Sequence, residues 1–179
     1  MRYRFTTAVI AAAVAGACSA ETPTRPGAVS VPVLVQADQH AGDPHQYGTH
    51  LTGDNEVPTN GSKGQGQATF HLSADGTELH YKLNVANIEN VTQAHIHLGV
   101  AGANGPVTVW LYPSAPPSQL IPGRSQGVLN EGVITSANLM GPLAGQTLDD
   151  LLARIQSGGA YVNVHTSQFP PGEIRGQIR

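Results

Sequence analysis

Ala94-His95-Ile96-His97-Leu98-Gly99 is the stretch on which the reading of this chain turns. Apolar and polar residues alternate with a period of two, which is the signature of a β-strand. Ala94, Ile96 and Leu98 then share one face, and His95 and His97 share the other. Two residues of rise at ~3.3 Å each set the two histidines roughly 7 Å apart. Imidazoles at that spacing can converge on one metal ion, and nitrogen ligands suit copper or zinc. The same pair also reads as a hydrogen-bonded polar stripe that orders a neighbouring loop, here Gly99 to Gly105. Two ligands do not make a site, so the choice depends on what the flanking strands bring.

Working outward, the same two-residue period recurs between turn signals. In Gln67 to Leu72, Ala68, Phe70 and Leu72 face one way and Gln67, Thr69 and His71 the other. Ala74-Asp75-Gly76-Thr77 forms a hairpin turn, with Gly76 at a backbone conformation that side chains disfavour. Leu79, Tyr81, Leu83 and Val85 continue the inward face, and Thr92 to Leu98 is the next strand. Asn104-Gly105-Pro106 turns the chain into Val107 to Leu111, and Pro113 to Gly123 is an aperiodic loop before a strand over Val128 to Thr135. One helix is expected over about 147–157. Thr147 is its N-cap, Asp149 and Asp150 complement its dipole, Leu148, Leu151, Leu152 and Ile155 form its apolar stripe, and Gly158-Gly159 stops it. Tyr161 to Thr166 and Glu173 to Ile178 close the pattern. The expectation is an all-β fold, a Greek-key β-sandwich or flattened barrel of about 8 short strands with one short helix.

Parity supplies the third ligand. Val162 and Val164 face the core, so Tyr161, Asn163 and His165 share the opposite face. Ile174 and Ile178 likewise set Glu173, Arg175 and Gln177 against the core. If those strands are neighbours, one sheet face carries His95, His97, His165, Asn163, Glu173 and Arg175. His95, His97 and His165 are then a minimal ligand set for copper or zinc. The first expectation is a structural polar network, in which Glu173 and Arg175 pair with each other or satisfy loop carbonyls, in a module with a binding or structural role; the metal site is the alternative. No G-x-S-x-G elbow, H-E-x-x-H helix or glycine-rich phosphate loop is present, so no catalytic residue is assigned and a non-enzymatic role is expected.

Composition bounds the rest. Charged residues are 12% and the net charge is −3, which leaves no basic footprint for nucleic acid. Arg2 and Arg4 precede an uncharged Ala/Val-rich run from Phe5 to Ala17, which has the form of a secretory signal peptide, residues 1–18. Cys18, the one cysteine, follows that run, and Val14-Ala15-Gly16-Ala17-Cys18 resembles a bacterial lipobox at its small positions. Lipidation of Cys18 would anchor the protein to a membrane; the alternative is ordinary cleavage after Ala17 or Ala20. Residues 19–46, with Pro23, Pro26, Pro32 and Pro44, read as a flexible tether, and residues 47–179 as the folded domain. The expected location is therefore outside the cytoplasm, in a bacterial cell envelope or secreted, with an envelope or extracellular protein of unknown identity as partner.

Leu51-Thr-Gly-Asp-Asn-Glu-Val-Pro58, the G-x-G-x-A-x-F run at Gly64 to Phe70, the A-H-I-H-L-G stretch with its following G-A-N-G-P-V, Y-V-N-V-H-T at Tyr161 to Thr166, and F-P-P-G-E-I-R-G-Q-I at Phe169 to Ile178 together resemble the chordin-type (CHRD) domain. The resemblance runs from about residue 48 to 179. It implies an extracellular or envelope β-rich module with no established general activity. It marks Asn55, Glu56, His95, His97, Asn163, His165, Glu173 and Arg175 as motif positions without assigning them roles. The growth-factor binding attributed to chordin's separate cysteine-rich modules does not transfer, because those modules are absent from this sequence. More loosely, a His-x-His strand joined by a later strand histidine is similar to the copper site of copper–zinc superoxide dismutases. The further histidines, zinc aspartate and disulfide of those enzymes are not recognisable here, so the similarity implies no dismutase activity.

Overall fold

The computed structural model describes residues 45–179. The expected signal peptide, Cys18 and all but the last two residues of the expected tether lie outside them. Seven strands and one α-helix follow in the order β1 (Gln46–Thr52), β2 (Gln65–Leu72), β3 (Leu79–Leu98), β4 (Val107–Tyr112), β5 (Ile121–Ile134), α1 (Leu148–Gln156), β6 (Ala160–Thr166) and β7 (Ile174–Gln177). All pairings are antiparallel. The sheet runs β2-β1-β7-β6-β3-β4, with β5 also on β3, and an additional β2–β3 pairing closes β2, β1, β7, β6 and β3 into a barrel-like sandwich. The all-β expectation holds.

The strand count and lengths differ from expectation. The two strands expected at Leu79–Val85 and Thr92–Leu98 are one strand of 20 residues. Its first half pairs with β2 from Leu79 to Ala86, and its second half pairs with β6 from Val91 to Leu98. Both halves pair with β5 across the opposite edge, from Leu79 to Val91. The strand therefore bends and passes one edge from β2 to β6, which is what closes the barrel. Asn87 and Asn90 adopt left-handed φ values of 55° and 54° at this bend. Asparagine tolerates that region because its short amide can hydrogen-bond locally. Each irregularity adds a residue and shifts the inward parity. The buried residues consequently step by three through Val85, Ile88, Val91 and Ala94 before regular alternation resumes at Ile96. Strand β5 also begins seven residues before the expected Val128, inside the Pro-rich segment. Gly123 and Gly127, both at positive φ, take up its bulges.

The core fills the barrel interior with Leu51, Phe70, Leu83, Ile96, Val162 and Ile174, all buried. Helix α1 contributes Leu148, Leu151, Leu152 and Ile155 to the same core. The expected cap is present: Thr147 Oγ1 accepts from the Asp150 amide, and Asp150 Oδ2 accepts from the Thr147 amide, a reciprocal capping box.

Candidate metal centre

The register of β3, β6 and β7 makes the expected adjacency real. His95 stands opposite Asn163, His97 opposite Tyr161, and Asn163 opposite Arg175, so these side chains share one face. This is the face turned away from Ile96, Val162 and Ile174, yet it is not a solvent surface. His95, His97 and His165 are 2%, 8% and 5% exposed, and every residue of β6 is buried. Two segments cover the layer. The β3–β4 loop is held by Arg175, which donates to the Val100 carbonyl (3.2 Å), the Ala103 carbonyl (2.7 Å) and Asn104 Oδ1 (3.1 Å). The β1–β2 segment is held through Asn60 Nδ2, which donates to the Gly172 and Glu173 carbonyls, and through Ser62. Asn104 Nδ2 ties the two covers together by donating to the Val57 carbonyl (2.8 Å).

The three histidines converge. Nδ1 of His95 and Nε2 of His165 are 3.3 Å apart, and one ring nitrogen from each of His95, His97 and His165 lies within 4.8 Å of the others. Metal–nitrogen bonds of ~2.0–2.1 Å put ligands in one site ~3.4–3.6 Å apart, so the set needs to draw in by only about 1 Å to share one ion. Hydrogen bonds fix which nitrogens are available. His97 Nδ1 faces the Gly105 carbonyl and His165 Nδ1 faces the Pro170 carbonyl, both at 2.9 Å. A carbonyl can only accept, so each Nδ1 carries the proton and each Nε2 of a neutral ring presents a lone pair. His97 Nε2 and His95 Nε2 are buried and have no hydrogen-bond partner. Backbone carbonyls that orient an imidazole in this way are the usual support behind a metal-bound histidine.

Electrostatics keep the rings neutral. Burial, reinforced by the neighbouring His165 and His97, pulls His95 down to about 3. Burial pulls His97 down to about 4, against the hydrogen bond to Gly105, and also lowers His165. Neutral imidazole is the ligating form.

Aromatic rings wall the cluster. Trp110 meets His95 edge-on at 4.3 Å between ring centroids. Tyr161 stacks on His97 at 4.9 Å and 9°, and the Arg175 guanidinium carbon lies 3.4 Å from the centroid of the Tyr161 ring.

The remaining motif residues divide. Asn163 Nδ2 donates to Glu56 Oε2 at 3.4 Å, while Asn163 Oδ1 and Glu56 Oε1 are buried without partners. Both surround Gly172, where a Cβ would stand 2.5 Å from Asn163 Oδ1 and 2.8 Å from Glu56 Oε1, so no side chain fits there. Desolvation raises Glu56 to about 7, against the pull of Arg175. Glu173 accepts from Ser62 Oγ (2.6 Å) and Thr166 Oγ1 (2.7 Å), which buttresses the cover. Asn55 is exposed, and its side chain donates to the Arg175 carbonyl at 3.1 Å. Of the two roles weighed for Arg175, it takes the one of binding loop carbonyls.

Sequence reasoning did not assign Trp110, Asn60, Ser62 or Asn104 to this layer. For Asn60, Ser62 and Asn104 no periodic signal exists, because they sit in loops. Tyr161 was legible, since it shares the parity of Asn163 and His165.

A family model described as the CHRD domain matches residues 47–178. No curated protein and no solved structure gives a significant match. Domains of this kind are in general non-catalytic modules. The match takes in every strand but the first residue of β1, together with all three histidines and both covering segments, and the chain belongs to the CHRD domain family.

Proposed function

We propose that this protein is an exported, non-enzymatic CHRD module of the cell envelope whose three buried histidines, His95, His97 and His165, hold a copper or zinc ion. The observation that carries the metal reading is the convergence of three neutral imidazoles, with the buried Nε2 lone pair of His97 meeting no donor. A purely structural polar network leaves that lone pair unsatisfied, at a cost of about 1–3 kcal/mol. A metal ion shared with His95 Nδ1 and His165 Nε2 satisfies it. Metal analysis of the purified protein, with calorimetric titration of copper and zinc, tests this. Uptake of one ion per chain that is lost in His95→Gln/His97→Gln is expected. No uptake, or uptake unchanged in that variant, removes the idea.

The export reading rests on the sequence of residues 1–18, with Cys18 as the lipid-bearing residue and the membrane as the first partner. Mass spectrometry of the mature N-terminus tests it: a diacylated Cys18 is expected, and an unmodified N-terminus after Ala17 or Ala20 overturns the anchor. The polypeptide partner is an envelope or extracellular protein, and the covered face leaves the β3–β4 loop tip, with Val100 59% exposed, for contact.

A further inference from the structure

The following rests on the three-histidine reading and specifies its ion. We propose that the site is built for copper(I) and discriminates against zinc(II) and copper(II).

The donor set is neutral. No cysteine or carboxylate joins the three ring nitrogens among the described residues. The two nearby acids have other tasks, with Glu173 bound to two hydroxyls and Glu56 to Asn163. Neutral ligands leave the full ionic charge on the metal. That charge would sit among rings at most 8% exposed. The Born cost of burying an ion rises with the square of its charge, so a dication costs roughly four times as much as a monocation of like size.

A cation already occupies the neighbourhood. The Arg175 guanidinium lies over Tyr161, the ring that stacks on His97, and its charge is felt at His97. Its repulsion for a second positive centre doubles when that centre carries two charges. Glu56 is the carboxylate that faces Arg175, and desolvation opposes its ionisation.

Coordination number points the same way. Zinc held by three protein ligands takes a water or another donor to complete its tetrahedron, and copper(II) takes a tetragonal set. Here three nitrogens converge, and Trp110 and Tyr161 close on His95 and His97 at 4.3 Å and 4.9 Å. Copper(I), like zinc(II), has a filled d shell and so lacks the tetragonal demand of copper(II), and with its single charge it is complete in two or three imidazoles where zinc(II) draws in a fourth donor. The Gly105 and Pro170 carbonyls fix two of the rings in advance, so little reorganisation accompanies binding.

The test uses the full-length protein under anaerobic conditions. Copper(I) is competed against bicinchoninate in the presence of ascorbate, and zinc(II) and copper(II) are titrated against a chelator of matched strength without reductant. Copper(I) is expected to bind one per chain, at least ~100-fold tighter than zinc(II), which corresponds to about 2.7 kcal/mol. His95→Gln and His165→Gln are each expected to weaken copper(I) by a similar factor, with circular dichroism reporting whether they fold. If they do not, X-ray absorption on the copper-loaded parent reads the site directly, and three nitrogen neighbours with a cuprous edge are expected. Zinc(II) or copper(II) binding as tightly as copper(I), as would follow if Asn163 Oδ1 closed a tetrahedral shell, overturns this proposal and leaves the three-histidine reading standing. Failure of every ion to bind overturns that reading itself.

Discussion

His165 Nε2 lies 3.3 Å from His95 Nδ1, although 70 residues separate them in the chain. His165 pairs in register with Gln93, and His95 with Asn163, so the two rings meet on the diagonal of an antiparallel ladder. The contact holds β3 to β6 on the face opposite the core, and it is where packing and chemistry coincide.

Removing that ring tests the packing component alone. In chelator, His165→Ala deletes the donor to the Pro170 carbonyl and the partner of His95, and leaves a buried void. A loss of about 2–3 kcal/mol is expected from the urea midpoint at constant slope. A loss under about 0.5 kcal/mol would show that the layer collapses without cost.

Arg175 is the clasp of the β3–β4 loop. Lysine keeps the charge but cannot reach Val100, Ala103 and Asn104 together or lie flat on Tyr161. Arg175→Lys is expected to cost about 2–4 kcal/mol and to raise amide exchange at residues 100–104 more than in β1. Uniform exchange changes would contradict the clasp.

Acid should destabilise the metal-free protein. In the folded state His95 titrates near 3 and His97 near 4, with His165 also lowered. In the unfolded chain all three return to ~6.5. As pH falls from ~6.5 towards ~4 the unfolded chain takes up protons that the folded one refuses, so stability is lost over that window. Glu56 acts oppositely: its folded value of about 7 lies above its ordinary 4.5, so its contribution is full below that ordinary value and fades as pH rises through 7. Three histidines outweigh one carboxyl, and the urea midpoint should fall between pH ~7 and ~4. A midpoint that rises over the same range would refute the assignment.

Glu56→Gln isolates the carboxyl. Glutamine mimics the protonated acid, and its amide can donate to Asn163 Oδ1, which has no donor. At pH ~8 the variant should equal the parent or exceed it by up to about 1 kcal/mol, with the gain vanishing near pH ~5. A loss of stability at pH ~8 would mean that the ionised carboxylate is needed beside Arg175.

Thr147→Ala removes the helix cap, whose hydroxyl accepts from the Asp150 amide at 3.4 Å. A loss of about 1 kcal/mol in thermal or urea unfolding is expected, with metal uptake unchanged.

Much of this was legible locally. The alternation in Ala94–Leu98 and Tyr161–Thr166 assigned each histidine its face, because a strand turns each successive side chain to the opposite side. Thr147, Asp150 and the leucine stripe fixed helix α1, because capping and amphipathic spacing are properties of a few adjacent residues. The order of motifs placed the chain among CHRD domains before any strand was paired.

What tertiary structure decided is everything that depends on which strands meet. The left-handed Asn87 and Asn90 break the alternation of β3, so a single bent strand read as two, and how it closes the expected sandwich or barrel was not legible. Parity could not say that the histidine face would be roofed by the β3–β4 loop and by Asn60 and Ser62, since those residues follow no period and act only through contacts made across the fold. Sequence determines which way a side chain points, because that is set by the backbone of its own strand. Only the register of β3 against β6, fixed by packing of the opposite faces, brings His165 within reach of His95 and buries both.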